Sequence, residues 1–408
     1  MLPFALLVLS MAILPMLAPH AWERRWFQTL IVVLCSAPVL GYLSLNGLAV
    51  SALHAASSYA SFIATLGALF VTTGGIYVMA DFEATPRTNL LWLTLGALLA
   101  SLIGTTGASM LLIRPLLRIN SEREHTGHLV PFFILAVANA GGLLTPLGDP
   151  PLLVGFIAGV PFFWTLRLLP VWILYVGSFL TAFYVIDRRA YARESATALA
   201  RDRAQLEPLA LRGRRNVVWL LFIVPAAFLP AGFRELAMLA IAAGSYLSTS
   251  GELRSSNGFS FAPIVEVALL FAGLFACLVP IELGLAAYAP SLPIQSSWQL
   301  FWASGSLSAV LDNAPTYAAF AALARGLSQG GGDLVCGIEP LKLAAISAGS
   351  VVMGATTYIG NGPNLMVKAI AERVGYRLPS FLRYFLFAFA AMLPAHAVMT
   401  AGFWLLER

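Results

Sequence analysis

Long apolar segments follow one another along almost the whole chain, and few charges interrupt them. Hydrophobic residues fill 59% of the 408 positions and charged residues only 11%, whereas a soluble domain carries about 25% charged residues. The core of a soluble protein cannot bury this much apolar surface, so the segments require lipid around them. The chain is therefore expected to be a polytopic membrane protein with room for about ten transmembrane helices of roughly 20 residues each.

The spanning segments are predicted to be helices and not strands of a β-barrel. A spanning strand alternates apolar and polar residues over about ten positions. The runs at 218–231 and 385–406 are apolar without such alternation, so an all-α fold is predicted. The predicted crossings are 2–18, 27–46, 58–79, 129–163, 168–186, 216–231, 235–250, 262–281, 341–371 and 384–405.

Two further segments, 89–117 and 298–325, are apolar at both ends and small or polar at the centre. The centre of the first is Gly104-Thr-Thr-Gly-Ala-Ser109, and that of the second is Asp312-Asn-Ala-Pro-Thr316. Non-helical backbone exposed to lipid would leave peptide groups without partners. Each segment is therefore predicted to be a re-entrant hairpin whose tip is buried in protein.

The positive charges predict the orientation of the chain in the membrane. When the loop with Arg24 and Arg25 is placed in the cytoplasm, most other arginines fall on the same side, including those of the charged segment 187–215. Both termini then lie in the periplasm, and the two hairpins enter from opposite sides of a bacterial inner membrane. The net charge of +5 is accordingly attributed to orientation and not to nucleic-acid binding.

Two similar segments predict an internal repeat. Thr145-Pro-Leu-Gly-Asp-Pro-Pro151 and Thr357-Tyr-Ile-Gly-Asn-Gly-Pro363 share a threonine, an aliphatic residue, a glycine, an Asp or Asn, and a proline in one register. A predicted hairpin precedes each segment, and the predicted topology makes the two copies inverted. The expected organisation is an N-terminal helix and loop at 1–26, a first repeat at 27–186, a solvated and partly helical linker at 187–215, and a second repeat at 216–408.

Each repeated segment is predicted to break a helix in mid-membrane, one within 129–163 and the other within 341–371. Proline removes a backbone donor, and glycine weakens the helix further. Corresponding Gly/Pro interruptions in two halves are typical of the ion and substrate site of a transporter. The alternative is a pair of proline kinks, but Asp149 and Asn361 argue against it because an acid within the membrane is costly.

Two acids in these segments, Asp149 and Asp312, are candidate ion-binding groups. A carboxylate there can bind Na⁺ beside backbone carbonyls, or take up a proton when burial disfavours its charged form. The oxygen donors around them suit a hard cation, although each also suits a helix cap or a hydrogen bond between helices. These donors are Thr105, Thr106, Ser109, Asn139, Thr145, Asn313, Thr316, Thr356, Thr357, Asn361 and Asn364.

The sequence allows two roles for each of three other ionisable groups. Glu266 lies one turn into the segment 262–281 and is either an interfacial glutamate or a proton carrier. Arg114 could pair with an acid or reach the headgroups, and Lys368 either extends to the cytoplasm or pairs with an internal acid.

Sequence motifs do not indicate an enzyme. His125 and His128 have i, i+3 spacing but lie in a polar loop and are predicted to be solvated. The three cysteines stand far apart and are interpreted as packing thiols. Since no HExxH, Walker A or GxSxG motif occurs, no cofactor and no metal other than Na⁺ are expected.

Two stretches resemble the signature segments of the ion-transporter superfamily. They are Asn139-Ala-Gly-Gly-Leu-Leu-Thr-Pro-Leu-Gly-Asp149 and Ser308-Ala-Val-Leu-Asp-Asn-Ala-Pro-Thr316. That superfamily includes NhaD-type sodium/proton antiporters, arsenite permeases, and citrate and dicarboxylate symporters. The resemblance covers the whole chain in its order of hairpins and broken helices, and it is specific for the superfamily but weak for substrate. The positions carried over are Asn139, Thr145, Asp149, Asp312, Asn313 and Thr316.

The resemblance implies two transport reactions. The asparagine and glycine run before Pro146 is similar to the NhaD-type pattern, which implies sodium/proton antiport. Carboxylate symporters typically show Ser-Asn-Thr at each helix break, whereas this chain has Gly148-Asp-Pro150 and Gly360-Asn-Gly362. The Thr-Pro-Leu-Gly-Asp-Pro-Pro segment nevertheless looks like a branch labelled both citrate transporter and sodium/proton antiporter.

The leading expectation is a secondary transporter that binds Na⁺ and H⁺ in competition at Asp149 and Asp312 and works by alternating access. An ionised Asp149 would repel a carboxylate by about 4 kcal/mol at about 4 Å and an effective dielectric of about 20, unless a bound cation cancels the charge. The alternative is a Na⁺- or H⁺-coupled citrate or dicarboxylate symporter, and a channel or a membrane enzyme is favoured less. The expected partners are small ions or carboxylates and lipid. Dimers are common in the resembling superfamily, while nothing in the composition of this chain shows one.

Overall fold

The computed structural model describes residues 2–328 and 333–407, and helices dominate both ranges. Within these ranges, six helices are long and apolar enough to cross a membrane, and three shorter apolar helical stretches accompany them. The predicted all-α polytopic membrane fold is confirmed.

The first half contains nine α-helices and one strand. Two 3-10 helices, Ala140–Leu144 and Phe162–Leu168, interrupt its later part. Its elements are α1 (Leu2–Leu17), α2 (Pro19–Trp22), α3 (Arg25–Leu45), α4 (Ala49–Thr73), β1 (Tyr77–Asp81), α5 (Pro86–Ile103), α6 (Thr105–Ile119), α7 (Leu129–Ala136), α8 (Pro150–Ile157) and α9 (Leu169–Tyr191).

The described remainder of the chain contains the linker elements α10 and β2 and then a second hairpin and a second interrupted helix. Two further 3-10 helices are Ala289–Ser291 and Gly354–Thr356. The elements are α10 (Ala196–Ala204), β2 (Glu207–Arg212), α11 (Arg214–Ala227), α12 (Phe233–Leu247), α13 (Gly251–Ser256), α14 (Ala262–Tyr288), α15 (Ser297–Ser308), α16 (Asn313–Leu327), α17 (Pro340–Met353), α18 (Gly362–Arg373) and α19 (Phe381–Leu406).

Each segment predicted as a hairpin folds into two helices that meet at a short turn. In the first, α5 and α6 meet at Gly104, whose φ of +83° is a conformation that glycine adopts without steric cost. In the second, α15 and α16 are joined by 309–312, and the Asp312 carboxylate caps α16 by accepting the Ala314 N–H at 3.1 Å. The tips are thus built from residues that favour turns and helix starts.

Both helices predicted to be broken are interrupted at the Gly/Pro positions. In the first half, α7 and a 3-10 helix are followed by a turn at 145–149, and α8 begins at Pro150. In the second half, α17 and a 3-10 helix precede 357–361, and α18 begins at Gly362. We call 145–149 the first break and 357–361 the second break.

The two halves interlock through reciprocal contacts. Helix α6 of the first hairpin packs against α18 of the second half, and α16 of the second hairpin packs against α8 of the first. Further out, α3 packs against α14, and α12 packs against α4 in the same crosswise manner. Each half therefore buries its helix faces against the other half, and the two breaks meet in the interior.

Two predicted crossings are shorter than expected. The segments 216–231 and 235–250 correspond to α11 and α12, which have 14 and 15 residues. A spanning helix needs roughly 20 residues, so these two form a shorter pair that turns back at 228–232.

The predicted crossing at 58–79 is wrong at both ends. Helix α4 begins at Ala49 and ends at Thr73, where Gly74 and Gly75 follow and weaken the helix. The next residues form β1, which pairs antiparallel with β2 of the linker. The sequence pattern missed this pairing because the partner strand lies in a segment that was predicted to be solvated.

The linker at 187–215 is less solvated than predicted. The Asp187 and Glu194 side chains are fully buried, and Arg123 lies 2.7 Å from the first and 3.3 Å from the second. His128 Nε2 lies 2.9 Å from the Asp187 carboxylate, so the prediction of a solvated histidine is wrong for His128. Buried charges require such partners. We call Arg123, His128, Asp187 and Glu194 the loop cluster.

Replacing Arg123 by methionine should destabilise the protein strongly. Its guanidinium is 1% exposed, and removal of one member of a buried ion pair costs about 3–5 kcal/mol. The matched control is Arg203→Met, because Arg203 is 64% exposed and forms a surface ion pair with Glu83, a type of pair worth about 1 kcal/mol or less. Thermal unfolding in detergent measures both, and equal midpoints would contradict the role of the loop cluster.

The loop cluster should also give a pH-dependent stability. Burial raises the pKa of Glu194, but the N–H groups of Glu124 and His125 and the Arg123 guanidinium lower it more, so the pKa lies below its usual range. A lowered pKa stabilises the folded state above the ordinary pKa, and this contribution is lost as the pH falls through the folded-state pKa.

Glu194→Gln should therefore lower the unfolding midpoint at pH 7, and the difference from the parent protein should shrink below about pH 4. A series of melting curves across this range measures it. A difference that grows on acidification would contradict the assignment.

Candidate functional site

Asp149 lies at the end of the first break, and its residue is 2% exposed. Its Oδ1 accepts hydrogen bonds from Thr105 Oγ1 at 2.6 Å and from Asn361 Nδ2 at 3.2 Å. Its Oδ2 accepts one from Asn313 Nδ2 at 2.6 Å. The three donors come from the first hairpin, the second break and the second hairpin. One carboxylate thus connects four elements drawn from both halves.

Three asparagine side chains from the two halves form a series of hydrogen bonds that begins at this carboxylate. Asn361 also donates to Asn139 Oδ1 at 3.1 Å, and Asn139 donates to Asn364 Oδ1 at 2.7 Å. Asn364 in turn donates to the carbonyls of Gly354 and Thr357, each at 2.9 Å. These amides supply donors to backbone carbonyls that the interrupted helix leaves unpaired.

A threonine attaches each break to its own hairpin in the same way. Thr145 Oγ1 donates to the carbonyl of Ser101, and Thr357 Oγ1 donates to the carbonyl of Ala309 at 2.5 Å. Each hydroxyl also accepts a backbone N–H from its break, that of Leu147 for Thr145 and that of Gly360 for Thr357. The repeated threonine therefore has a structural role that the local sequence pattern did not specify.

Asp312 and Thr316 lie at the start of α16 and not against Asp149. The Asp312 carboxylate caps the helix, and Thr316 Oγ1 donates to the Asp312 carbonyl at 3.0 Å. The neighbouring Asn313 is the residue that reaches Asp149. Ion binding by Asp312 remains a prediction. Asp312 directly precedes Asn313, the residue that contacts Asp149 from the other half.

A small cavity lies beside Asp149. It measures about 70 Å³ and is lined by Thr105, Thr106 and Asp149 together with apolar residues of α4 and α14. In the described part of the chain, Asn313 Oδ1 is buried without a hydrogen-bond partner, and the Nδ2 of the same side chain contacts Asp149. Ser109 Oγ, one helical turn after Thr105, is also buried without a partner. An unpaired oxygen next to a carboxylate is the chemistry that a small hard cation prefers.

Glu266 lies on α14 but contacts the N-terminal helices. Its Oε1 accepts hydrogen bonds from Trp22 Nε1 and Gln28 Nε2, both at 3.1 Å. Its role as a proton carrier remains a prediction. Arg114 is 3.4 Å from Asn257, and Lys368 pairs with Glu372 at 2.7 Å.

Sequence reasoning missed Ser101, which holds the first break in two ways. Its carbonyl accepts from Thr145, and its hydroxyl donates to the carbonyl of Gly141. Ser101 stands three residues before Gly104, as Ala309 stands three before Asp312. Aligning the two hairpin tips would therefore have singled out both positions.

A buried carboxylate at the meeting point of two broken helices and two helical hairpins defines a secondary transporter when the chain is built of membrane-spanning helices. The family model described as "Putative citrate transport" matches residues 1–404. The chain belongs to this family, which is of the ion-transporter type, so the resemblance noted in the sequence is confirmed. No curated protein matches the chain.

Gly148→Ala and Gly360→Ala should each reduce stability and transport. A Cβ would lie 2.1 Å from the Gly142 carbonyl oxygen in the first and 2.5 Å from that of Gly354 in the second, and such overpacking costs about 1–3 kcal/mol. Gly402→Ala on α19 is the control, because its Cβ would meet nothing within 4 Å. Melting midpoints and initial uptake rates measure the effect, and a Gly402 variant as impaired as the other two would contradict this interpretation.

Proposed function

We propose that the protein carries citrate or a related small carboxylate across the membrane together with a cation, by alternating access at the Asp149 site. The observation that supports this most directly is the set of donors from both halves that surrounds one buried carboxylate. The family match supports citrate as the substrate class. The cation is Na⁺ or H⁺, as expected from the sequence.

Four helix starts favour an anion at this site. Helices α6, α8, α16 and α18 begin at Thr105, Pro150, Asn313 and Gly362. Each start is at or next to Asp149 or a residue that donates a hydrogen bond to it, and the Asp312 carboxylate caps α16. The N-terminus of a helix carries unpaired N–H groups and a partial positive charge, which attract carboxylates. Asp149 and a substrate carboxylate would therefore share this positive region.

The shared region couples the substrate to a cation. Two carboxylates about 4 Å apart repel each other by about 4 kcal/mol at an effective dielectric of about 20. A proton on Asp149, or Na⁺ between Asp149 and the unpaired oxygen of Asn313, removes this repulsion. Substrate binds well only when the cation is present, so the two cross together.

Sodium/proton antiport is the second candidate function. Asp149 is buried beside a small cavity, and Asp312 directly precedes Asn313, which donates a hydrogen bond to Asp149. In this reaction Na⁺ and H⁺ compete for the carboxylates, and no carboxylate substrate takes part.

Asp149→Asn should abolish gradient-driven accumulation of citrate, because the amide carries no charge for a cation to neutralise. The measurement is uptake of labelled citrate into proteoliposomes under an inward Na⁺ gradient, an inward H⁺ gradient, or neither. Glu252→Gln is the matched control, since Glu252 is an exposed acid on α13. The parent and control proteins should accumulate citrate with at least one gradient.

Two outcomes would contradict the proposal. One is undiminished accumulation by the Asp149 variant. The other is a parent protein that accumulates no citrate but moves protons when Na⁺ alone is added, which would support antiport instead.

A further inference from the structure

A second, larger cavity lies between the ends of α4, α8, α14 and α16. It measures about 400 Å³, within the range of about 300–1,000 Å³ typical of small-molecule sites. We call it the distal cavity, and its polar lining consists of Ser51, His54, Ser58, Glu282, Arg325 and Cys336. No function considered so far uses these residues.

The distal cavity lies on the face of the protein away from the β1–β2 sheet. Ser51 is near the start of α4, while β1 follows soon after the end of that helix at Thr73. At about 1.5 Å per residue, these two positions are roughly 33 Å apart, the thickness of a bilayer core. In the orientation predicted from the positive charges, this is the periplasmic face, from which a substrate would arrive.

The distal cavity borders the Asp149 site through α8. Leu153 lines the cavity beside Asp149, and the next residue, Val154, lines the distal cavity. A smaller space of about 20 Å³ shares Glu282 and Arg325 and extends to Tyr317, one helical turn after Asn313. The cavity is therefore next to the proposed transport site and separate from it.

Arg325 presents a positive charge to this cavity. Its Nε donates to the Cys336 carbonyl at 3.2 Å, and Nη2 lies 3.8 Å from Cys336 Sγ. Within the described residues, no carboxylate lies within 4 Å of it, whereas Lys342 pairs with Glu339 at 2.8 Å. A guanidinium offers a planar pair of donors that matches a carboxylate.

We propose that the distal cavity is a recognition site for a small polycarboxylate, with Arg325 binding one carboxylate of the substrate before it reaches Asp149. The other charged or titratable groups that line the cavity are Glu282 and His54. Glu282 offsets part of the charge of Arg325, so a monovalent anion is held weakly. A polycarboxylate gains further hydrogen bonds from His54, Ser51 and Ser58. This inference rests on the proposed carboxylate transport.

Cys336 provides a reporter for the test. It lines the distal cavity, whereas Cys35 and Cys277 are buried, at 8% and 0% exposure. In purified protein in detergent, citrate should slow the reaction of Cys336 with a maleimide several-fold, and acetate should not. Cys336→Ala identifies the labelled residue.

Arg325→Gln should remove this protection and raise the KM for citrate uptake about tenfold with little change in kcat, because it removes binding and not the transport step. Arg325→Lys should restore part of the affinity through its charge. Lys342→Gln is the control, since Lys342 is paired and does not line the cavity. Melting midpoints check that the variants are folded.

Each outcome decides the inference. Citrate transport by the parent protein without protection of Cys336, or with equal protection in Arg325→Gln, overturns the distal site and leaves the proposed function standing. If Cys336 does not react with the maleimide, an unchanged KM in Arg325→Gln overturns it. A parent protein that neither transports citrate nor is protected by it overturns both proposals.

Discussion

The structure depends on satisfying peptide groups where two helices unwind in an apolar interior. An unpaired backbone N–H or carbonyl is costly there, so each break needs partners from outside its own helix. In the first half, the Thr105 N–H and the Ser101 hydroxyl of the hairpin donate to the carbonyls of Gly148 and Gly141. In the second half, Asn364 of α18 donates to the carbonyls of Gly354 and Thr357. The peptide groups around each break thus find donors beyond the unwound residues themselves.

The same backbone frame carries different side chains in the two halves. Asp149 of the first break corresponds to Asn361 of the second, and Thr105 at one hairpin corresponds to Asn313 at the other. A repeated frame thus holds one carboxylate surrounded by neutral donors, and not two facing carboxylates. The second acid, Asp312, caps α16, so Asp149 is the carboxylate that accepts hydrogen bonds from both halves, and the helix starts around it favour an anion nearby. These two properties are the basis of the proposed coupling between a carboxylate and a cation.

The two faces of the protein differ in the partners of one arginine on each face, Arg123 and Arg325. On the face of the β1–β2 sheet, Arg123 lies between Asp187 and Glu194 and forms an ion pair with each. These pairs connect the end of the first hairpin to α9 and the linker. On the opposite face, Arg325 contacts a backbone carbonyl and borders a cavity. A paired buried guanidinium serves stability, whereas one without a carboxylate partner remains available to a ligand.

The fold class, the positions of both hairpins and both breaks, and the presence of Asp149 and Asn361 at the breaks could be predicted from the sequence alone. These follow from local properties, namely apolar length, Gly/Pro interruption and the cost of an acid in lipid. Only the tertiary structure decided that Thr105, Asn313 and Asn361 bind the same carboxylate, that Ser101 holds the first break, and that β1 pairs with a strand in the linker. Each of these contacts joins distant parts of the chain, and hydrophobic periodicity specifies which face of a segment is buried but not which residue lies opposite.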